Sequence, residues 1–304
     1  MKKLNNKILI TALVVLFGIF ALSRWLRSPG LEGNVRKELV SIDTATISEI
    51  HIKPANHKPL EIVLKKEGAQ WKVSNGQQQA ETELGTVKSL LSLLKDLKVQ
   101  RLASRKKDKW DTYQVGEGAT QVSILQNGKT TNIHFGKSSY SQGGAYTYVR
   151  LSKEDEVYSV EGFIDSHFNR SYNDWRNKTL LKLNQSDISK ITFNYPADSS
   201  FVLEKRDSVW LVANTSTEGA KVNSYLSQLT YKTLNDFADG FTSTEKPTAI
   251  LQFESKNGVL ATVQGWKNGD QWIITSSAQN GVYFSSNQSA MKELMVGKAK
   301  FLTK

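Results

Sequence analysis

The chain has 304 residues, with 40 Lys plus Arg against 29 Asp plus Glu for a formal net charge of +11. Its length points to two domains, while a mean hydropathy of −0.41 excludes a polytopic membrane protein and 10% aromatic content excludes a disordered chain. Cysteine is absent, which excludes disulfides, thiolate metal sites, iron–sulfur clusters, cysteine nucleophiles and a cysteine-linked lipid anchor.

Lys2, Lys3 and Lys7 precede an uncharged run from Ile8 to Leu22, and counting on to Leu26 gives 19 residues. As a helix this is about 28 Å long, close to the ~30 Å hydrocarbon core of a bilayer. The run has no polar face, so it does not read as a buried core helix. Arg24 can snorkel to the headgroups and Trp25 suits the interface. A cleaved signal peptide shares the basic head and apolar run. Its cleavage site would be Ala21-Leu22-Ser23, awkwardly followed by Arg24-Trp25, so residues 8–26 read as a retained transmembrane anchor. Arg24, Arg27, Arg36 and Lys37 balance the basic head, and charge alone does not set the orientation. The short head and long following domain favour an inside amino terminus with the bulk of the chain exported.

The turn-rich stretch Ser28 to Asn34 then leads into the folded part. The organisation expected is a cytoplasmic head and anchor over 1–28, a linker over 29–40, a first repeat over 41–170, a connector over 171–183 and a second repeat over 184–304. The repeat is carried by two tryptophans. Ile47, Ile50 and Ile52, then Ile62 to Lys66, then Trp71 to Val73 are answered by Ile188, Ile191 and Phe193, then Phe201 to Lys205, then Trp210 to Val212. A helical spacing follows each, with Val87, Leu90, Leu91, Leu94 and Leu97 in the first copy and Val222, Tyr225, Leu226 and Leu229 in the second. Val122, Ile124, Asn127-Gly128, Ile133, Phe135 and Gly136 find counterparts in Ile250, Leu251, Phe253, Asn257-Gly258, Val263 and Gly265. Each Asn-Gly pair predicts a tight hairpin with positive φ at both central residues. Tyr146, Tyr148 and Val149 answer Trp272, Ile273 and Ile274, and Val157-Tyr158 answers Val282-Tyr283. The second copy is shorter, mainly around the counterpart of Arg101 to Gly118. Each copy reads as three strands, a helix, about four strands and a closing helix, Gly162 to Asn169 or Ser289 to Val296. Connections this short require antiparallel strands. The fold class is therefore α+β: one amino-terminal transmembrane helix, then two repeated lobes, each a twisted antiparallel sheet packed with a helix. Trp71 and Trp210 read as core residues.

The four histidines, His51, His57, His134 and His167, have no metal-ligand spacing, and no hydrolase elbow, phosphate loop or dinucleotide fingerprint is present. Gly116-Glu117-Gly118 lacks the strand-to-helix context of a nucleotide loop, and Ser138 to Gly144 reads as a hairpin loop without a base. Asp108, Asp111 and Glu117 read as solvated loop carboxylates, and the Asn-x-Ser/Thr sites as composition. Catalytic, cofactor and metal residues are therefore not assigned. Lys95, Lys98, Arg101, Arg105, Lys106, Lys107 and Lys109 form a basic stretch ending at Trp110. The plain reading is a cationic helix end with a solvated loop. The functional reading is contact with an anionic partner through Arg101, Arg105, Lys106, Lys107 and Lys109, nucleic acid being ruled out for an exported domain.

The anchor, the Ile-x-x-Ile strand, the step from Leu64 and Lys66 to Trp71, Val157-Tyr158 and the run Asp174-Trp175-Arg176-Asn177-Lys178-Thr179-Leu180-Leu181 resemble the bacterial domain-of-unknown-function 4340 family, the similarity covering most of residues 40 to 240. That resemblance implies a bacterial protein tethered to the inner membrane with its bulk periplasmic, in some relatives beside transport ATPases linked to gliding motility or surface export. The family has no established catalytic residues to carry over. The function expected is a non-enzymatic binding or scaffold protein engaging another envelope protein or an anionic polymer. The alternative is an enzyme acting on envelope glycans through carboxylates in a cleft.

Overall fold

The computed structural model describes residues 13–20, 22, 36–57, 61–197 and 199–303. The basic head, residues 8–12, 21 and 23–26 of the expected anchor, and the turn-rich stretch 28–34 lie outside them. Residues 13–20 and 22 are helical. Among the described residues no helix is long and apolar enough to cross a membrane. The chain divides into two compact units, 1–175 and 176–304.

The first unit runs β1 Ile47–Lys53, β2 Ile62–Glu67, β3 Gln70–Ser74, β4 Gln79–Glu81, α1 Leu84–Lys95, β5 Val99–Ser104, α2 Trp110–Tyr113, β6 Thr120–Gln126, β7 Lys129–Ser141, β8 Gly144–Leu151, β9 Val157–Glu161, α3 Asp165–Phe168 and α4 Tyr172–Trp175. Its nine strands lie in the order β4-β3-β2-β1-β6-β7-β8-β9-β5. The second unit runs β10 Thr179–Lys182, β11 Lys190–Asn194, β12 Phe201–Arg206, β13 Val209–Val212, β14 Thr215–Ser216, α5 Gly219–Leu229, β15 Tyr231–Thr233, β16 Ala249–Ser255, β17 Gly258–Asn268, β18 Gln271–Ser276, β19 Tyr283–Asn287 and α6 Gln288–Leu294. Its main sheet reads β14-β13-β12-β11-β16-β17-β18-β19, with β10 and β15 paired separately. The eight shared strands have one topology, and every pair is antiparallel, so each unit is an α+β lobe.

Register makes the duplication residue-specific. Ile50 lies between Leu64 and Ile124, as Ile191 lies between Leu203 and Phe253. Trp71 and Trp210 are each 6% exposed, within their lobe's core. Val87, Leu90 and Leu94 of α1 are buried, as are Val222, Tyr225, Leu226 and Leu229 of α5, while Leu91 is half-buried. Each such side chain contributes about 1.5–3 kcal/mol when taken from water.

Several details depart from the sequence expectation. The strands β4 and β14 add a fourth to the expected three, because two or three residues carry no alternation to read. The counterpart of Tyr158 is Phe284, not Tyr283. Tyr158 faces Val149 and Phe284 faces Ile274, and a one-residue slip would turn the ring out of the core. Asn127 and Gly128 both have positive φ, 49° and 72°, and form the tight turn expected. In the second lobe Ser255 pairs with Gly258, so Lys256-Asn257 form the turn and Gly258, at φ 134°, opens β17. The register shift between Phe253 and Glu254 absorbs the difference. The shortening of the second copy is shared by the β1–β2 and β3–β4 turns, the stretch between α1 and β6, and the β7–β8 hairpin. Residues 171–183 are not a free connector. Tyr172 and Trp175 are buried in the first core, and β10 pairs with β15 in the second lobe.

The outer edge of each sheet is covered differently. In the first lobe β5 pairs along β9. In the second, Ala238 donates to the Tyr283 carbonyl and Ser285 to that of Asp236, both at 2.8 Å, closing the edge of β19. That covering segment is held by Arg176. Its guanidinium donates to both carboxylate oxygens of Asp239, at 2.7 and 2.8 Å, and lies 3.5 Å over the Phe237 ring. Arg176 is 6% exposed and Asp239 36%. Cutting a buried pair costs ~3–5 kcal/mol, and Asp239's exposure lowers that. We expect Asp239→Ala to destabilise the second lobe by about 2–3 kcal/mol in urea unfolding. Arg176→Lys should be destabilising as well, because an ammonium can neither fork onto the carboxylate nor stack flat.

Candidate functional site

The basic stretch spans three elements. Lys95 ends α1, where a cation complements the helix dipole, and Lys98 pairs with Asp96 at 3.2 Å. Arg101 lies on β5 with its guanidinium 5.3 Å from the Tyr146 ring. Arg105 and Lys106 follow the strand, and Lys107–Lys109 form one 3₁₀ turn before α2. Arg101, Arg105, Lys106, Lys107 and Lys109 are all exposed. Trp110 is not an open stacking platform. The Arg150 guanidinium lies 3.7 Å over its ring, and its indole donates to the Asp155 carbonyl at 3.1 Å. Arg150 is buried and donates to the carbonyls of Val115, Leu151, Ser152 and Glu154. It thereby rivets the arm over a satellite core of Val115, Tyr146, Tyr148 and Val157.

The chain enters this lobe along the same strand. Leu39 donates to the Leu97 carbonyl at 3.2 Å, Val99 donates to that of Lys37 at 3.0 Å, and Glu38 bridges to Lys98. Arg36 pairs with Glu154 at 2.6 Å and donates to the Tyr158 hydroxyl at 3.1 Å. The end of the expected 29–40 linker is therefore part of the fold. It lies beside the strand that bears Arg101 and leads to Arg105.

The stretch around α2 also forms one wall of an open cavity of about 460 Å³ in the first lobe. Gly136 of β7 lets the arm's backbone rest on the sheet, since a Cβ there would sit 2.2 Å from the Tyr113 carbonyl oxygen. Asp111, Lys137, Asp165 and Asn169 line the cavity. Burial raises the Asp165 carboxyl above the usual carboxylate range, while hydrogen bonds from Thr120 and Asn169 work against it. Thr120 and Asn169 are themselves fixed by the backbone amides of Ala55 and Asn56. The sequence singled out Asp111 as a loop carboxylate and Asn169 only as the start of an Asn-x-Ser site, and it did not single out Asp165. Asp165 and Asn169 belong to the short closing helix and its cap, and only the tertiary fold brings them to β6 and β7. Asp108 and Glu117 do not line the cavity.

The remaining candidates have local roles. His51 lies between Glu49 and Glu61, 3.2 Å from each, and Glu49 is held below the usual carboxylate range by His51 and Lys65. Ser138 shares a 2.8 Å hydrogen bond with Thr147, and Tyr140 at the hairpin end is 74% exposed. Among the described residues no group of three or more His, Cys, Asp or Glu could hold a metal ion.

A family model described as Domain of unknown function (DUF4340) matches residues 71–253, which is more than half of the chain, and the chain belongs to that family. No curated protein and no solved structure matches it.

His134 gives the site region a pH dependence. Its Nδ1 faces the Gly116 carbonyl at 3.2 Å and its Nε2 the Ser152 hydroxyl at 2.9 Å. Burial first, and then the Arg150 charge, hold the imidazole below its ordinary value, against the raising effect of the Gly116 bond. A depressed folded value means that the unfolded chain takes the proton first as pH falls. The stabilisation is therefore complete above about pH 6.5 and is lost as pH falls towards and through the folded value. His167, lowered by burial and by Arg170, acts with the same sign. We expect the urea midpoint of the first lobe to drop between about pH 7.5 and about pH 5, and His134→Gln to flatten that slope.

Proposed function

We propose, from its membership of the DUF4340 family, that this chain is a membrane-anchored, extracytoplasmic and non-enzymatic binding or scaffold protein. Residues 8–26 hold it in the inner membrane, and its two lobes engage another envelope protein or an anionic polymer beside a transport system. The observation that carries the reading is the surface of residues 13–20 and 22. Leu13, Val14, Leu16, Phe17, Ile19 and Leu22 are each at least 57% exposed, a contiguous apolar surface that water does not favour and that suits a bilayer. The entry of the chain along β5 supports the partner side of the proposal. Ten residues from 26 to 36 reach at most about 35 Å, so the exposed cations from Arg101 to Lys109 would be carried on an edge near the anchor's exit.

A second reading has one observation in its favour. Asp165, with its raised pKa, shares a cavity with Asp111, and a glycan-acting enzyme needs a protonated acid near a second carboxylate. Hydrolysis of envelope glycan by the purified chain, lost in Asp165→Asn, would replace the scaffold proposal with this one.

Two measurements test the scaffold reading. Protease added to spheroplasts should digest both lobes, and protection of the bulk of the chain would overturn the placement. Partner recovery from mild-detergent extracts should be salt-sensitive. It should also fall roughly fivefold or more when Arg101, Arg105, Lys106, Lys107 and Lys109 are changed together to Gln, at ~0.2–1 kcal/mol per exposed charge. Unchanged recovery would remove the basic arm from the interface.

A further inference from the structure

The second lobe holds a cavity of about 400 Å³ lined in part by residues that depart from their counterparts in the first lobe. Phe135 faces Val149 in the first lobe as Gly265 faces Ile274 in the second. Where the first lobe places a phenyl ring, stacked 4.6 Å from Phe168, the second places no side chain. Thr147 faces Val160 as Trp272 faces Ser286, so an indole replaces a small hydroxyl. The two changes belong together. A Cβ on Gly265 would lie 2.6 Å from the Met291 methyl and 3.3 Å from Cε3 of Trp272. Met291 and Trp272 thus occupy the position of the absent ring, and on their other side they line the cavity together with Met295, Tyr195 and Ala249, which complete an apolar wall.

Two cations border this wall. Lys267 and Lys292 line the cavity and are exposed. Among the described residues neither ammonium makes an ion pair, and none of the lining residues is a carboxylate. Thioethers adapt to a flexible hydrocarbon, an indole offers it a broad apolar face, and the volume falls within the ~300–1,000 Å³ usual for small-molecule sites. We propose that this cavity binds a free long-chain carboxylate, its alkyl chain against Trp272, Met291 and Met295 and its head paired with Lys267 and Lys292. The proposal does not depend on the membrane anchor or on the basic arm of the first lobe.

The test uses the full chain in neutral nanodiscs with a diazirine-bearing dodecanoate, followed by mass-spectrometric mapping. We expect labelling at Trp272, Met291 or Met295 that unlabelled dodecanoate competes away. In the Lys267→Glu, Lys292→Glu double variant, which changes only exposed side chains, that labelling should fall about tenfold or more through reversal of both rim charges. An uncharged dodecanol probe should label both proteins equally, which shows that the variant keeps the cavity. Labelling elsewhere but not at these residues would overturn the proposal. Equal dodecanoate labelling of the double variant, equal labelling by a dodecyl-ammonium probe, or stronger competition by acidic phospholipid than by dodecanoate would each overturn the assignment of a free carboxylate.

Discussion

Both lobes are organised by one hydrogen-bonded junction at the start of their long helix. In the first, Thr82 donates its amide and its hydroxyl to the Trp71 carbonyl, at 3.3 and 2.9 Å, and Glu83 donates to the carbonyl of Trp175. In the second, Thr217 does the same to Trp210, at 3.0 and 2.9 Å, and Glu218 donates to the carbonyl of Phe301. The helix entry is thereby tied to the third strand and to the last large aromatic of the lobe. Fixing the helix axis over the sheet is what lets one stripe of side chains bury against it. Because the tie reaches Trp175 in the first lobe and Phe301 in the second, each lobe closes on its own core.

This junction explains why so much of the fold was legible. The tryptophan steps and the helical stripes are local patterns, and the junction converts them directly into packing. The Asn127-Gly128 turn was equally readable, because both residues meet a backbone requirement that their side chains announce. The Asn257-Gly258 pair carried the same letters, but a bulge moved the turn by one residue, and a bulge has no signature in a single strand. The Tyr158 counterpart slipped for a related reason, since neighbouring Tyr283 and Phe284 are both aromatic and only pairing decides which one enters the core.

The candidate sites were less legible because they are made by contacts distant in sequence. Arg176 meets Asp239 across 63 positions, and Asp165 is brought to the cavity by a closing helix of four residues. The basic stretch was visible as letters. Its distribution over a helix end, an edge strand and a turn was not, nor was the capping of Trp110 by Arg150. The duplication itself supplied the remaining information. Two lobes built on one register act as controls for each other, and within the shared strands Phe135 and Thr147 give way to Gly265 and Trp272.

The pairing of Lys37 and Leu39 with β5 also has a mechanical side. Tension transmitted from the amino-terminal direction would meet the Val99–Lys37 and Leu39–Leu97 backbone bonds before any part of the sheet interior. The ion pair of Arg36 with Glu154 stands ahead of them as the first element to be strained. The core behind β5 would carry force only after these few contacts had given way, so this edge would work as a fuse for the lobe.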